Sequence, residues 1–155
     1  DEGPKTNDHK LTSMSIWTYK PSPEQFATFT GNTMIEHLGI EITDVNDDSL
    51  VGSMPVDHRT QQPYRILHGG ASAVLAETLG SFASQMCTED PGNSKVVGIE
   101  ISVNHLRQVS EGKVFGTATP VKLGRRLHIW QIDLHDEEGR HISRARLTVM
   151  ILASD

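Results

Sequence analysis

The chain has 155 residues, 36% of them hydrophobic and 22% charged, the composition of one ordinary globular domain long enough to bury a core. No run of eighteen apolar residues is present and the N-terminus lacks the layout of a signal peptide, so neither a transmembrane helix nor a membrane partner is expected. A net charge of -6 argues against a nucleic-acid binder, and a single cysteine, Cys87, suits a reducing, cytoplasmic compartment. Charge is unevenly placed: residues 1–94 hold five Lys and Arg against thirteen Asp and Glu, whereas residues 95–155 hold nine against seven. An anionic small ligand would find its cations in the second part.

Taken in order, residues 1–13 are polar and aperiodic and read as a flexible leader ahead of Met14, leaving 14–155 as a single domain. Ser22-Pro23-Glu24-Gln25 predicts a helix start: Ser22 caps, Pro23 fits the first helical position and Gln25 completes a capping box. This helix is short, anchored by Phe26 and Phe29, and Gly31-Asn32 ends it. Leu38, Ile40 and Ile42 alternate with Gly39, Glu41 and Thr43, the period of a half-buried strand. A turn at Asn46-Asp47-Asp48 leads into a second alternation through Leu50, Gly52, Met54 and Val56, which makes a hairpin. Asp57 to Leu67 is a polar loop delivering the chain to His68.

From His68 to about Cys87 the sequence predicts one long helix that opens on Gly69-Gly70 and is apolar or small nearly all round. Such a helix is expected to be buried. It carries one carboxylate, Glu77, and burying an ionised carboxylate without a partner costs roughly several kcal/mol. No cation lies at a helical offset to pair with it. Ala73, Gly80, Ser81 and Ser84 surround Glu77 one turn to either side and leave room on that face, Ser84 being read as a packing residue.

After an exit loop at Glu89-Asp90-Pro91-Gly92-Asn93-Ser94, strands dominate. In Lys95–Arg107 the residues Ile99, Ile101, Val103 and His105 share a face. Lys113–Val121 is broken up by Gly116 and ends near Pro120. Gly124 starts a turn, and Arg126–Asp136 puts Trp130, Ile132 and Leu134 on one side. Glu137-Glu138-Gly139 is a hairpin turn, after which Ala145, Leu147, Val149 and Ile151 alternate with Arg144, Arg146 and Thr148. About six strands and one long helix imply an α+β fold with a curved antiparallel sheet wrapped around the helix. The eight histidines show no His-x-His or helical His-x₃-His pair and no phosphate loop is present, so no metal site is expected.

Several of these stretches together resemble a known family. Gln62-Pro63, His68-Gly69-Gly70, Ala76-Glu77, Lys95-Val96-Val97-Gly98-Ile99-Glu100-Ile101 and Asn104-His105 are similar to hotdog-fold acyl-CoA thioesterases, with a match from about Ile16 to Leu152. The branch resembled is that of 4-hydroxybenzoyl-CoA thioesterases (PaaI-type) with a catalytic glutamate. Within it, the 1,4-dihydroxy-2-naphthoyl-CoA and enterobactin-proofreading hydrolases are the nearest in pattern. The resemblance implies a hotdog fold and hydrolysis of an aromatic or hydroxyaryl acyl-CoA, with no cofactor beyond the coenzyme A of the substrate. Thioesters of an aryl carrier protein are the alternative substrate, and acyl-CoA binding without chemistry the alternative function. The pattern departs at Arg65, where members of the resembled family often carry glycine, which bears on the path of Tyr64–Leu67 and on the acyl pocket beside it.

Thioester hydrolysis needs a donor for the carbonyl oxygen as it gains charge, and a nucleophile or activated water at the carbonyl carbon. A backbone N–H at a helix N-terminus is a ready donor, and Gly69, lacking a Cβ, lets a thioester lie on the backbone. Glu77 would be the nucleophile or the general base. The resemblance implies that Gln62 positions thioester or water; His68 caps the helix or helps hold the carbonyl, and Ser81 can hydrogen-bond the water or the acyl ring. On the substrate side it implies His105 near the acyl end, with Leu106 beside it. Gly98 in a strand indicates close approach of a backbone or ligand, and Arg107, Lys122, Gly124, Arg125 and Arg126 lie on or beside loops that could reach the nucleotide.

Gly69 and Glu77 are eight residues apart on one helix, about 12 Å along its axis. Both need to reach one carbonyl, so two helices related by a two-fold axis are expected, Gly69 of one chain facing Glu77 of the other. The family implies the same homodimer, often paired into a dimer of dimers. A dehydratase, with His68 and Glu77 as base and acid, is a rival reading that the order of the motifs does not favour.

Overall fold

The computed structural model describes residues 14–153, so the leader expected at 1–13 lies outside the described residues. Two short helices, α1 (Pro23–Thr30) and α2 (Met34–His37), precede a hairpin of β1 (Glu41–Val45) and β2 (Leu50–Pro55). The long helix α3 (Gly69–Cys87) follows, and then β3 (Lys95–His105), β4 (Lys113–Leu123), β5 (Leu127–Asp136) and β6 (His141–Leu152). The strands form one antiparallel sheet in the order β1-β2-β4-β5-β6-β3, and α3 packs against β2 to β6. This is the α+β arrangement expected, a sheet around one long helix.

Alternation predicts the strand faces well where both neighbours are strands. Trp130, Ile132 and Leu134 of β5 and Leu147 and Val149 of β6 are fully buried, meeting Leu75, Leu79 and Ala83 of α3, while Arg144 and Arg146 face outward. Gln25 Oε1 accepts from the Ser22 N–H at 2.8 Å, so the helix start at Pro23 is built as its sequence implies.

Four expectations are corrected. Leu38 does not begin a strand; it caps the C-terminus of α2, which Thr33 opens by accepting the Ile35 N–H at 3.2 Å, and Gly39 at φ 70° turns the chain into β1. The fourth strand neither breaks at Gly116 nor stops at Pro120. Gly116 makes room for α3, since a Cβ there would lie 2.6 Å from Leu79 Cδ1, and a bulge between Pro120 and Lys122 absorbs the missing N–H. In β3 a register shift between Gly98 and Glu100 resets the alternation: Gly98, Ile101, Val103 and His105 pair with buried β6 residues, and Ile99 is left 51% exposed. Ser84 is more than a packing residue. Its hydroxyl accepts the Trp130 indole N–H at 2.6 Å and lies 3.1 Å from His128 Nδ1, at the centre of a buried polar contact between α3 and β5.

The long helix is also not buried all round. Leu75, Ala76, Leu79 and Ala83 are fully buried, whereas Gly69, Ala73, Glu77, Ser81 and Gln85 form a half-buried seam along the opposite side. The reason is topological: β3 is the last strand of the sheet, and among the described residues no further element lies beyond it to cover α3.

Candidate functional site

At the N-terminus of α3 the backbone is prepared to hold an anion. His68 is the N-cap residue, and its Nδ1 accepts the Gly70 N–H at 2.7 Å. The Ala71 and Ser72 N–H groups donate to the His68 carbonyl at 3.0 and 3.3 Å. Among the described residues the Gly69 N–H has no partner, so it is the donor left for an outside acceptor. The His105 ring stands over this glycine, its Nε2 2.6 Å from where a Cβ would be. Gln62, Gly69, Ser72, His105, Leu106 and Arg107 line one cleft of about 450 Å³.

The loop carrying Gln62 is tied to itself. The Gln62 N–H donates to the Ile66 carbonyl at 2.9 Å, the Arg65 N–H to the Gln62 carbonyl at 2.8 Å, and Gln62 Oε1 accepts the Tyr64 N–H. Arg65 adopts φ 63°, the left-handed region where a side chain is strained and glycine is not. That conformation is one that glycine would adopt without strain.

Glu77 lies farther along the seam, at the sheet edge. Its carboxylate rests against Gly98, where a Cβ would collide with Glu77 Oε1. The close approach expected at this strand glycine, of a backbone or a ligand, is met in this chain by the Glu77 carboxylate. One turn on, Ser81 lines a second cleft of about 550 Å³ with Tyr19, Phe26, Phe29, Phe82 and Val96. The three phenylalanines pack mutually at centroid distances of 5.3–5.7 Å. Sequence reasoning did not single out Tyr19 or Phe82; Phe26 and Phe29, noted as helix anchors, were the available signal, since α1 brings them onto Phe82.

A third group gathers at the C-terminus of α3. Gly124 and Arg125 share a cleft with Cys87, Leu123 and His128, while Lys122 and Arg126 are exposed beside it. Cys87 is ten residues beyond Glu77, about 15 Å along the helix. Burial pushes its thiol up to about 12, so at neutral pH it is no thiolate nucleophile. Among the described residues, no group of three or more His, Cys, Asp or Glu could hold a metal ion, and no helix is long and apolar enough to cross a membrane.

One chain thus brings together Gln62, Gly69, His105, Leu106 and Arg107, and separately Glu77, Gly98 and Ser81, with Gly124 and Arg125 at the far end. The donor and the carboxylate are not within reach of one carbonyl.

A model of the thioesterase superfamily matches residues 64–143. The 1,4-dihydroxy-2-naphthoyl-CoA hydrolase of Escherichia coli is 47% identical over 137 residues, covering 88% of this chain and 99% of that protein. A proofreading thioesterase of Cronobacter turicensis is also 47% identical, over 88% of this chain and 98% of its own. A crystal structure of a thioesterase from Haemophilus influenzae, 44% identical, superposes with a TM-score of 0.85 over 88% of this chain and 94% of the other.

Proposed function

The chain belongs to the thioesterase superfamily and is a thioester hydrolase of hotdog fold, and from that premise we propose that it cleaves aryl or hydroxyaryl acyl-CoA at sites shared by two subunits of a homodimer. The observation that carries this reading is the division of the site along α3. The free Gly69 N–H and the Glu77 carboxylate both lie on the uncovered seam, about 12 Å apart. Among the described residues nothing covers the outer edge of β3, an eleven-residue strand with Val97 and Ile99 41% and 51% exposed, and natural sheets cover such an edge.

Pairing two β3 edges antiparallel supports the same division. Gly98 lies under Glu77 and His105 lies over Gly69, so a two-fold axis between Ile101 and Ser102 sets Gly98 of one copy across from His105 of the other. Glu77 of one subunit and Gly69 of its partner then address one carbonyl. The Gly69 N–H stabilises the oxygen as it becomes an oxyanion, a donor whose loss typically costs about 2.7–4 kcal/mol. Glu77 attacks the carbonyl carbon or takes the proton from water that does. Gln62, held by its loop, orients the thioester or water, His68 keeps the donor geometry by occupying the Gly70 N–H, and Ser81 reaches the acyl side. The aromatic cleft of Phe26, Phe29 and Phe82 favours a flat acyl group, while Arg107 and the Lys122–Arg126 turn offer cations to the phosphates.

The relative named for 1,4-dihydroxy-2-naphthoyl-CoA makes that thioester the first substrate to try, and the proofreading relatives make aryl carrier-protein thioesters the second. The test is release of free thiol from a panel of aryl-CoA, alkyl-CoA and aryl carrier-protein thioesters, with Glu77→Ala beside the parent. The parent is expected to turn over aryl-CoA fastest and the variant to lose activity. A parent that cleaves none of them, or a variant at full rate, sinks the reading.

A further inference from the structure

Gly98 has no conformational need to be glycine. Its φ lies outside the left-handed region that Gly39, Gly112 and Gly139 occupy, so its backbone is one that any residue adopts. What glycine provides here is space. A Cβ at this position would collide with Glu77 Oε1 and come within 3.3 Å of Glu77 Cδ, whereas its next neighbour, Leu147 Cδ1, is at an ordinary 3.4 Å. The volume withheld by the strand is therefore the volume taken by the carboxylate.

We propose that Gly98 is a positioning residue for the reaction: by lacking a Cβ it lets the Glu77 carboxylate rest on the edge of β3, the place from which it addresses the thioester. This rests on the reading of Glu77 as the reacting carboxylate. Among the described residues no hydrogen bond or ion pair holds that carboxylate, and the contact shown for it is with the β3 backbone at Gly98. The register shift directly after Gly98 serves the same end, because it turns Gly98 toward the helix together with Ile101 and Val103, which keeps the strand close to α3 at this point.

Because the carboxylate is the free end of a flexible side chain, an added methyl group displaces the carboxylate and leaves the strand in place. The retreat needed for ordinary van der Waals separation is about 1 Å, and a misplacement of that size at a reacting group costs up to about 100-fold in rate. The experiment is a two-by-two set of the parent, Gly98→Ala, Glu77→Asp and the double variant. It measures kcat and KM on the best substrate of the panel, binding of a non-hydrolysable thioether analogue, and thermal unfolding.

Gly98→Ala is expected to lower kcat about 10- to 100-fold while KM, analogue binding and the unfolding midpoint stay close to the parent's. Aspartate is one methylene shorter, so it fits beside a Cβ at position 98. Glu77→Asp should accordingly cost a smaller factor in the Gly98→Ala background than in the parent. Full kcat in Gly98→Ala, or the same cost of Glu77→Asp in both backgrounds, overturns the proposal. So does a loss confined to KM, which places Gly98 against the ligand. If Gly98→Ala unfolds, the strand and not the carboxylate has yielded to the methyl group, and the proposal is likewise wrong. Should Glu77→Ala itself retain full activity, it is the functional reading that has failed.

Discussion

At Arg65 the chain accepts a local cost that glycine would remove. A non-glycine residue at φ 63° is strained by roughly 1–2 kcal/mol, and the freedom that glycine adds to the unfolded chain returns about 0.4–1 kcal/mol of that. Arg65→Gly is expected to raise stability by about 0.5–1 kcal/mol, read from the denaturant midpoint. An unchanged or lower midpoint would mean that the arginine side chain compensates through contacts of its own. The Gln62 backbone hydrogen bonds to Arg65 and Ile66 should persist, because they depend on the turn and not on the side chain. The resemblance marked this position as a departure; the dihedral angle supplies the reason glycine is favoured there.

At the scale of elements, the contact between α3 and β5 turns on protonation. The Trp130 N–H donates to Ser84 Oγ, which leaves the serine proton for His128 Nδ1, so the arrangement closes with a neutral imidazole. Burial holds the His128 pKa below the usual histidine value of 6.5, although the Gly124 carbonyl acts in the opposite sense. A folded-state pKa that is depressed means that the unfolded chain binds the proton first. Stability from this group is complete above 6.5 and is lost as pH falls through 6.5 toward the folded value. Unfolding midpoints measured from pH 8 to pH 5 should therefore fall, and His128→Gln should flatten the decline over that window. A parallel decline in the variant would assign the pH dependence to other groups. Glycines at Gly116 and Gly52 serve the same layer differently, each leaving room for a methyl of Leu79.

For the whole molecule, the free edge of β3 is the decisive feature. If two copies pair there, charge placed on that edge should separate them. The variant Val97→Lys/Ile99→Lys is expected to sediment as a monomer, keep its secondary structure and lose thioesterase activity, while the parent sediments as a dimer or larger assembly. A monomeric parent with full activity contradicts the shared site outright. The three residue groups along α3, at its start, middle and end, then belong to one substrate only when two helices lie side by side.

Much of this was legible in the amino-acid sequence because it is local. The span of α3, its glycine start, the buried faces of β5 and β6 and the isolated Glu77 follow from helical and strand periods and from the backbone freedom of glycine. Gly69 and Glu77 stand out from the residues themselves, a glycine at a helix start and an isolated carboxylate, whereas Gln62 is marked only by the family resemblance. Tertiary structure decided what depends on register and neighbours. A bulge after Gly98 reset which β3 residues face the helix, and Pro120 entered a strand because its bulge tolerates a missing N–H. Ser84 became a hydrogen-bond centre because β5 brings an imidazole and an indole to it from 44 and 46 residues away. The strand order left β3 at the edge and, among the described residues, one side of α3 without cover, so the acid expected to be buried is only half-buried. Periodicity specifies which face of an element is apolar; only the packing of distant segments specifies whether that face is covered.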